Sequence, residues 1–494
     1  MTRICADDMP HEIWLRIFQT CVQLYRAPDD NPFAKPRSNA KLPCTPFLLS
    51  AVCTDWRKIS LSNSTLWSTV FIVLVGTSGG RQESELRIEA MELWIQRARS
   101  LPLSITFRVH ARPDDFYQSA DGMGLPALLV KHAQKIKELY MELPPHWYQT
   151  VTGVHFPILE RLKVIVPEVE ADFRSMTIMN EGPRTVYEGR RWTMDTEVDL
   201  SQCPMLSTAS VTGPFAYNRI ILPWENIVNL RVSHVVAVDI PGILRRFPAL
   251  RQFWVEFGEV DSMDDYSDFG DDSSDDEDLE GSSTLEKLVL QGVRSWALSD
   301  ILGDVPLSSL KHLEITLAEH EYEVEDEEFQ ESDLFQPILG LADTLQHLSI
   351  GLDKVESFNS TIRFLSSFQS LVSLELLPAS AELGLDDAFF ESLLMKPSIL
   401  PHLEDITISD LAISIEDDTL LDILRYRGYG GQLGAHTTAA GSSRLKSFKL
   451  VAKSGIESQS ALLLEDSTRA DLMQMVREGL SIHIELGEDV LFTS

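Results

Sequence analysis

The chain has 494 residues, of which 44% are hydrophobic, and its formal net charge at pH 7 is −33. This length allows two to four domains, or one compact unit followed by a repeat array. The negative charge argues against nucleic acid and anionic membranes as general partners, because both would repel the chain. No run of about eighteen apolar residues is present, so no membrane-spanning helix is expected.

Two acidic runs carry much of the negative charge. Residues 261–280 hold eleven acids and residues 319–333 hold nine, with no Lys or Arg in either. Such composition predicts disordered loops, which we place at 259–282 and 319–333. The five cysteines form no CxxC pair, and no apolar stretch precedes Asp7. We therefore expect an intracellular protein, in the cytoplasm or the nucleus, with reduced cysteines and no signal peptide.

Residues 9–24 predict an amphipathic helix. It begins at Met9-Pro10, since proline suits a first helical turn, and Glu12 suits the positive end of the helix dipole. Apolar residues recur at steps of three to five along one face. These residues are Ile13, Ile17, Phe18, Cys21 and Leu24.

A second helix is predicted to begin with Thr45 as its cap and Pro46 as its first residue. Leu49, Val52, Cys53 and Trp56 form its apolar face at helical spacing. A short third turn ends at Leu66-Trp67. These helices carry more apolar residues than a unit of about sixty residues can bury alone. Either the excess packs on the rest of the chain, or it forms a docking face for another protein.

The residue order favours the docking face. Met-Pro-x-Glu-Ile-x-x-x-Ile-Phe from Met9, Leu-Leu-Ser-x-Val-Cys-x-x-Trp-Arg from Leu48, and then Leu66-Trp67, resemble an F-box. The match is closest to the large F-box families of basidiomycete fungi. Two features depart from that pattern: Met9 stands where Leu is usual, and a Pro-rich insertion at 26–44, predicted to be disordered, separates the helices.

The F-box resemblance implies a partner, the Skp adaptor, and through it a cullin of a ubiquitin ligase. It also implies which residues contact that adaptor. These residues are Met9, Pro10, Ile13, Ile17, Phe18, Leu49, Val52 and Trp56.

A strand is predicted at 70–75, a helix at 83–99 and a strand at 103–107. After them one apolar sequence motif, called a phrase below, recurs. It reads apolar, two residues, apolar, one residue, apolar. The eleven phrases are Ile136-Leu139-Met141, Leu159-Leu162-Val164, Leu206-Ala209-Val211, Ile227-Leu230-Val232, Leu250-Phe253-Val255, Leu285-Leu288-Leu290, Leu310-Leu313-Ile315, Leu345-Leu348-Ile350, Leu371-Leu374-Leu376, Leu403-Ile406-Ile408 and Leu445-Phe448-Leu450. This is the core of a leucine-rich repeat, with a period near the usual 20–29 residues.

The predicted fold class is α/β. A small all-α F-box domain at 1–75 precedes a linker and helix at 76–100 and an irregular leucine-rich-repeat solenoid at 101–494. The parallel sheet is expected on the concave side and the helices on the convex side. The repeats lack the usual asparagine after the third apolar residue, so we expect them to be irregular. A last repeat is predicted as a helix at 468–478 and a strand at 481–486.

Residues that alternate with the inward apolar positions should line the concave surface. Trp254 is an exception in this mostly polar set, and an exposed tryptophan beside cations is a candidate hot spot for a bound protein. The competing interpretation packs Trp254 under a loop. His312 and His347 are predicted on adjacent strands, as a solvated pair rather than a metal site. The candidate target-binding residues are Arg231, Trp254, Lys287, His312, Glu314 and His347.

No nucleophile, phosphate-loop or zinc-protease motif is present, so we expect neither catalysis nor a cofactor or metal. Two functions remain. In the first, the F-box docks to the Skp adaptor and the repeats bind an unknown protein target for ubiquitination. In the second, the chain is a protein-binding scaffold outside any ligase, and its N-terminal helices cap the solenoid.

Overall fold

The computed structural model describes residues 9–23, 46–75, 81–110, 124–143, 145–166, 197–213, 216–235, 237, 239–258, 284–295, 297–303, 307–318, 331–352, 357–379, 385–396, 398–409, 413–429, 443–452, 464–486 and 489–493. The insertion predicted at 26–44 and the acidic loop predicted at 259–282 lie outside these ranges. The chain forms two compact units, Met1–His234 and Val235–Ser494. The predicted domain boundaries at 75 and 100 both lie within the first unit, and the strands on either side of them pair in one sheet.

The first unit begins with helices and continues as a parallel sheet. Its helices are α1 (His11–Gln23), α2 (Pro46–Val52), α3 (Thr54–Ser62), α4 (Arg81–Arg97), α5 (Gly124–Lys131), α6 (Pro145–Tyr148) and α7 (Ala216–Arg219). Its 3₁₀ turns are Ser64–Trp67, Ala133–Lys135, Gln149–Val151 and Trp224–Asn226. Its strands are β1 (Thr69–Val75), β2 (Leu103–His110), β3 (Ile136–Glu142), β4 (Arg161–Ile165), β5 (Val198–Asp199), β6 (Thr208–Thr212), β7 (Ile220–Ile221) and β8 (Asn229–Ser233).

Strands β1, β2, β3, β4, β6 and β8 are neighbours in that order, and every pair between them is parallel. The short strands β5 and β7 pair separately. Parallel neighbours need a crossover between them, and helices or turns supply it here.

The second unit repeats the same plan. Its helices are α8 (Asp239–Arg246), α9 (Ala297–Gly303), α10 (Glu331–Leu339), α11 (Phe358–Leu365), α12 (Asp387–Leu394), α13 (Asp417–Tyr429) and α14 (Asp466–Arg477). Its strands are β9 (Gln252–Glu256), β10 (Lys287–Val293), β11 (His312–Leu317), β12 (His347–Leu352), β13 (Ser373–Ala379), β14 (Leu385–Asp386), β15 (Asp405–Ser409), β16 (Ile413–Ser414), β17 (Ser447–Ala452), β18 (Ser481–Leu486) and β19 (Asp489–Thr493).

Strands β9, β10, β11, β12, β13, β15, β17 and β18 form a parallel sheet in that order. Strand β19 then pairs antiparallel to β18, which the sequence analysis did not predict. Successive helices α9 to α14 pack side by side along one face of this sheet. Mixed α/β architecture with a large parallel sheet is therefore confirmed.

The second and third apolar positions of each phrase lie in a strand. All three apolar positions of each of the eleven phrases are buried. The intervening strand residues are mostly partly exposed, as in the pattern of β11 and of β15. Because strand side chains alternate between faces, one face of the sheet is apolar and covered by helices while the other is largely polar. The predicted register is confirmed.

Side chains just before three of the phrases connect neighbouring repeats. In three phrases the residue that precedes the first apolar position donates to a carbonyl oxygen of the preceding repeat. The pairs are Asn226 Nδ2 to Pro204 O at 3.1 Å, Thr284 Oγ1 to Leu250 O at 2.9 Å, and Ser370 Oγ to Asp343 O at 2.9 Å. Side chains thus supply hydrogen-bond partners for backbone carbonyls in these turns.

A buried arginine holds the turn after α12. Arg427, on α13, donates to backbone carbonyls that include those of Leu394 at 2.5 Å and Ile399 at 2.6 Å. Burial lowers the pKa of Arg427. Carbonyls at the end of a helix have no partner within the helix, and the guanidinium supplies one.

Two predictions about helices are wrong. The second N-terminal helix is not continuous: α2 ends at Val52, and α3 begins at Thr54 with Cys53 as its N-cap. Residues 331–333, assigned above to the second acidic loop, form the start of α10. The remainder of that loop, residues 319–330, lies outside the described ranges.

Candidate protein-binding surfaces

An aromatic cluster joins α1 to α3. The Trp56 ring lies 5.0 Å from the Trp14 ring and 4.8 Å from the Phe18 ring, centroid to centroid. Rings in tilted or edge contact at such distances stabilise each other beyond their buried area. Cys53 caps α3, because its sulfur accepts the Trp56 backbone N–H at 3.4 Å. The cluster therefore fixes the angle between the two helices.

A second cluster ties α2 to α4. The Phe47 ring lies 5.0 Å from Trp67 and 5.3 Å from Trp94, in edge contact with both. The Arg97 guanidinium lies over the Trp67 ring at 4.5 Å, and Trp67 Nε1 donates to Ser60 O at 2.7 Å. These contacts give the helical segment its own core.

The predicted adaptor-contact residues fall into two groups. Phe18 and Leu49 are buried, so in this structure they belong to the core of the helical segment. The aromatic cluster explains the burial of Phe18, whose ring packs against Trp14 and Trp56. Trp56 and Met9 are half-buried.

The other predicted contacts lie at the surface. Pro10 is exposed, and so are several large apolar side chains of α1, α2 and α3. Their exposed fractions are 42% for Ile13, 38% for Ile17, 62% for Val52, 56% for Leu48 and 41% for Leu61. The site prediction missed Leu48 and Leu61, although Leu48 stands within the F-box-like motif.

Five of the six predicted target-binding residues lie together on the polar face of the second unit. His312 is in register with Lys287 on one side and His347 on the other. The two imidazole rings are stacked, 5.4 Å apart between centroids. Burial, together with the charge of Lys287 and the neighbouring His347, lowers the pKa of His312 to about 4. His312 is therefore neutral near pH 7.

Trp254 and Glu314 flank the buried Val289 in the next row of the same face. The Lys287 ammonium lies over the Trp254 ring at 5.7 Å, a cation–π contact. Burial raises the pKa of Glu314, against the lowering effect of Lys287. The cluster thus presents aromatic surface, one cation and one carboxylate within three strands.

Arg231 belongs to the first unit, where it lies on β8 in register with Ser210. Among the residues with described positions, no group of three or more His, Cys, Asp or Glu side chains is arranged to hold a metal ion. Cys21, Cys53 and Cys203 are free thiols. No helix in the described part of the chain is long and apolar enough to cross a membrane.

The chain has only distant similarity to the known proteins with which it was compared. No protein-family model matches the sequence, and no curated protein matches it at a significant level. A protein of Bacteroides fragilis is 12% identical with a TM-score of 0.29, over 45% of this chain and 64% of that protein. An internalin of Listeria monocytogenes is 10% identical with a TM-score of 0.27, over 71% of this chain and 84% of the internalin. Similarity this low carries no information about function.

Proposed function

We propose that the chain is the target-recognition subunit of a Skp–cullin–F-box ubiquitin ligase. Helices α1 to α3 dock to the Skp adaptor, and the polar face of the repeats holds a protein target. The exposed apolar side chains of α1 and α2 carry this proposal, together with the F-box-like residue order around them. The chain itself is then non-catalytic and needs no cofactor, since separate enzymes transfer ubiquitin.

The division of the helical segment into buried and exposed apolar residues supports docking. Phe18, Leu49 and Trp67 already give the segment a core. Ile13, Ile17 and Val52 are not needed to fill that core and stay in contact with solvent. Several large apolar side chains exposed on so small a segment are typical of an interaction site.

The repeat face supports the second half of the proposal. Protein-binding hot spots are rich in tryptophan and usually pair aromatic surface with a few charged groups. Trp254, Lys287 and the stacked histidines provide that combination. Protein targets are favoured over nucleic acid because the chain carries a net charge of −33.

The test compares two double variants of equal chemistry. Ile17→Asp with Val52→Asp places charges on the proposed docking face, and Met473→Asp with Val490→Asp places them on exposed apolar residues of the second unit. Capture of the full-length chain by purified Skp adaptor should fall roughly a hundredfold for the first pair, because a charged group at an apolar contact costs several kcal/mol. The second pair should be captured like the wild type.

Unchanged capture of the Ile17→Asp, Val52→Asp variant would refute the adaptor contact. Circular dichroism checks that both double variants are folded, which we expect because the replaced residues are exposed. A wild-type chain that never binds the adaptor would instead favour the scaffold alternative. The packing of Phe47 and Trp67 on Trp94 is the observation that favours this alternative, because a helical cap would contact the first helix of the repeats in this way.

A further inference from the structure

A row of four side chains crosses the polar face of the first unit. Tyr140, Lys163, Ser210 and Arg231 are in register on β3, β4, β6 and β8. Neighbouring strands lie about 4.8 Å apart, so Lys163 and Arg231 stand about 10 Å apart with Ser210 between them. Tyr140, Lys163 and Arg231 are each partly exposed.

Ser210 is the unusual member of this row. Its hydroxyl oxygen is buried and has no hydrogen-bond partner, although it lies between two long cationic side chains. The row beside it is satisfied, since Asn229 Nδ2 donates to Thr208 Oγ1 at 3.2 Å. A buried hydroxyl without a partner is destabilising, and such groups in folded proteins call for an explanation. A ligand atom that accepts its hydrogen bond provides one.

The charges around the row favour an anion. On this face of β2, β3, β4, β6 and β8, the described bases are Arg108, Arg161, Lys163 and Arg231, and the described acids are Glu138 and Glu142. Both acids have cations beside them: Arg108 Nε donates to Glu142 at 2.7 Å, and Arg161 lies 3.5 Å from Glu138. The face therefore has positive net charge in a chain whose total is −33.

The Tyr140 ring lies at one end of the row and contacts two cations. The Arg108 guanidinium lies 5.1 Å from the centre of its ring, and the Lys163 ammonium lies 5.3 Å from it. Arg108 also donates to the Tyr140 hydroxyl at 2.9 Å. These contacts keep the Lys163 side chain on the sheet surface, within the row.

We propose that Lys163, Ser210 and Arg231 bind a carboxylate side chain of an acidic protein segment. The two cations approach the carboxylate from opposite sides, and the Ser210 hydroxyl donates to it from the sheet. The inference rests on the proposed target-binding role and adds the chemistry of the target. An acidic peptide fits better than nucleic acid, because two cations and one hydroxyl suffice to bind a single carboxylate, whereas nucleic-acid affinity depends on contacts to many phosphates.

The experiment measures binding of a fluorescein-labelled hexaglutamate peptide to the purified full-length chain by fluorescence anisotropy. Replacing Lys163 and Arg231 together by Met should raise the Kd at least tenfold, since hydrogen bonds to charged groups are among the stronger ones. Ser210→Ala removes only the hydroxyl and should raise the Kd about threefold. Added salt should weaken wild-type binding.

The matched control is Lys449→Met. Lys449 holds the corresponding strand position on β17, between Thr407 and His483, without a buried hydroxyl beside it. Its loss should change the Kd less than twofold. An equal effect of Lys449→Met, or unchanged binding by the Lys163→Met, Arg231→Met variant, would overturn the proposal.

Two further measurements test which ligand the site prefers and whether the Ser210 hydroxyl takes part in binding. Tighter binding of a single-stranded DNA oligomer than of hexaglutamate would also overturn the proposal, since the site would then prefer phosphate backbones. If the double variant does not fold, the Ser210→Ala variant tests the site, because removing an unpartnered hydroxyl leaves the fold intact. A Kd of Ser210→Ala equal to that of the wild type would then refute the site. The assay contains no adaptor, so its failure is distinguishable from failure of the ligase proposal.

Discussion

The N-terminal helices and the repeat strands differ in how completely they bury their apolar residues. In the strands every apolar position of the phrases is buried, whereas in the helices Phe18 and Leu49 are buried but Ile17 and Val52 are not. A strand in a helix-covered sheet has one inner face fixed by its period of two. A short helix has a wider apolar stripe than its neighbours can cover. Apolar periodicity therefore reports burial reliably in the repeats and only partly in the helices.

The prediction with the largest expected effect compares two side-chain truncations, one in a strand and one in a helix. Leu374→Ala, in the core of β13, should lower the free energy of unfolding by about 3 kcal/mol, since it removes buried methyl groups and leaves a cavity. Val52→Ala should change it by less than about 0.5 kcal/mol, because that side chain is exposed. Urea unfolding followed by circular dichroism measures both. Equal losses would show that Val52 is part of a core after all.

The stacked histidines offer a second, smaller test within the repeats. The pKa of His312 is lowered to about 4, below its ordinary value of 6.5, so folding favours the neutral ring. This contribution to stability is complete above pH 6.5 and is lost as the pH falls towards 4. Between pH 7.5 and 5 we expect it to fall by about 1 kcal/mol, after allowing for solvent screening of a partly exposed group.

The measurement compares the unfolding of the wild type and of His312→Asn at both pH values. The variant should lose about 1 kcal/mol less than the wild type on acidification, since asparagine does not titrate. Lys287→Met should also reduce the pH dependence, because the charge of Lys287 helps to lower the pKa of His312. Identical pH profiles for wild type and His312→Asn would rule out this contribution.

Much of the fold follows from the sequence because each repeat phrase places its apolar residues at the same positions of a strand. The spacing of the phrases therefore predicts which residues of neighbouring strands lie side by side. The same pattern placed Trp254, Lys287 and His312 on one face, as the structure shows. It did not predict the carbonyl contacts of Arg427, since a lone arginine in a helix gives no sign of its distant partners. Nor did it predict β19, whose antiparallel pairing depends on a chain reversal after the last repeat.

The site could be predicted less well, for a physical reason. Sequence spacing identifies an apolar face, but tertiary neighbours decide which of its residues face solvent. Phe18 is buried because Trp14 and Trp56 pack against it, and the spacing of α1 alone does not reveal those contacts. From the sequence, Ser210 is only one of many polar residues at the alternating positions of the strands. Its missing hydrogen bond is visible only in three dimensions.

The smallest expected effect concerns the break between α2 and α3, where the predicted continuous helix was wrong. Cys53 has extended backbone, its carbonyl accepts from Arg57 N at 3.0 Å, and its sulfur accepts from Trp56 N at 3.4 Å. A serine oxygen is a better acceptor at an N-cap than a thiol, so Cys53→Ser should raise stability by about 0.5 kcal/mol. Cys53→Ala keeps the backbone bond but removes the side-chain acceptor and should lower stability by a similar amount. Thermal unfolding of the two variants distinguishes a local cap, with shifts of opposite sign, from a break imposed by packing alone, which would leave both unfolding temperatures equal.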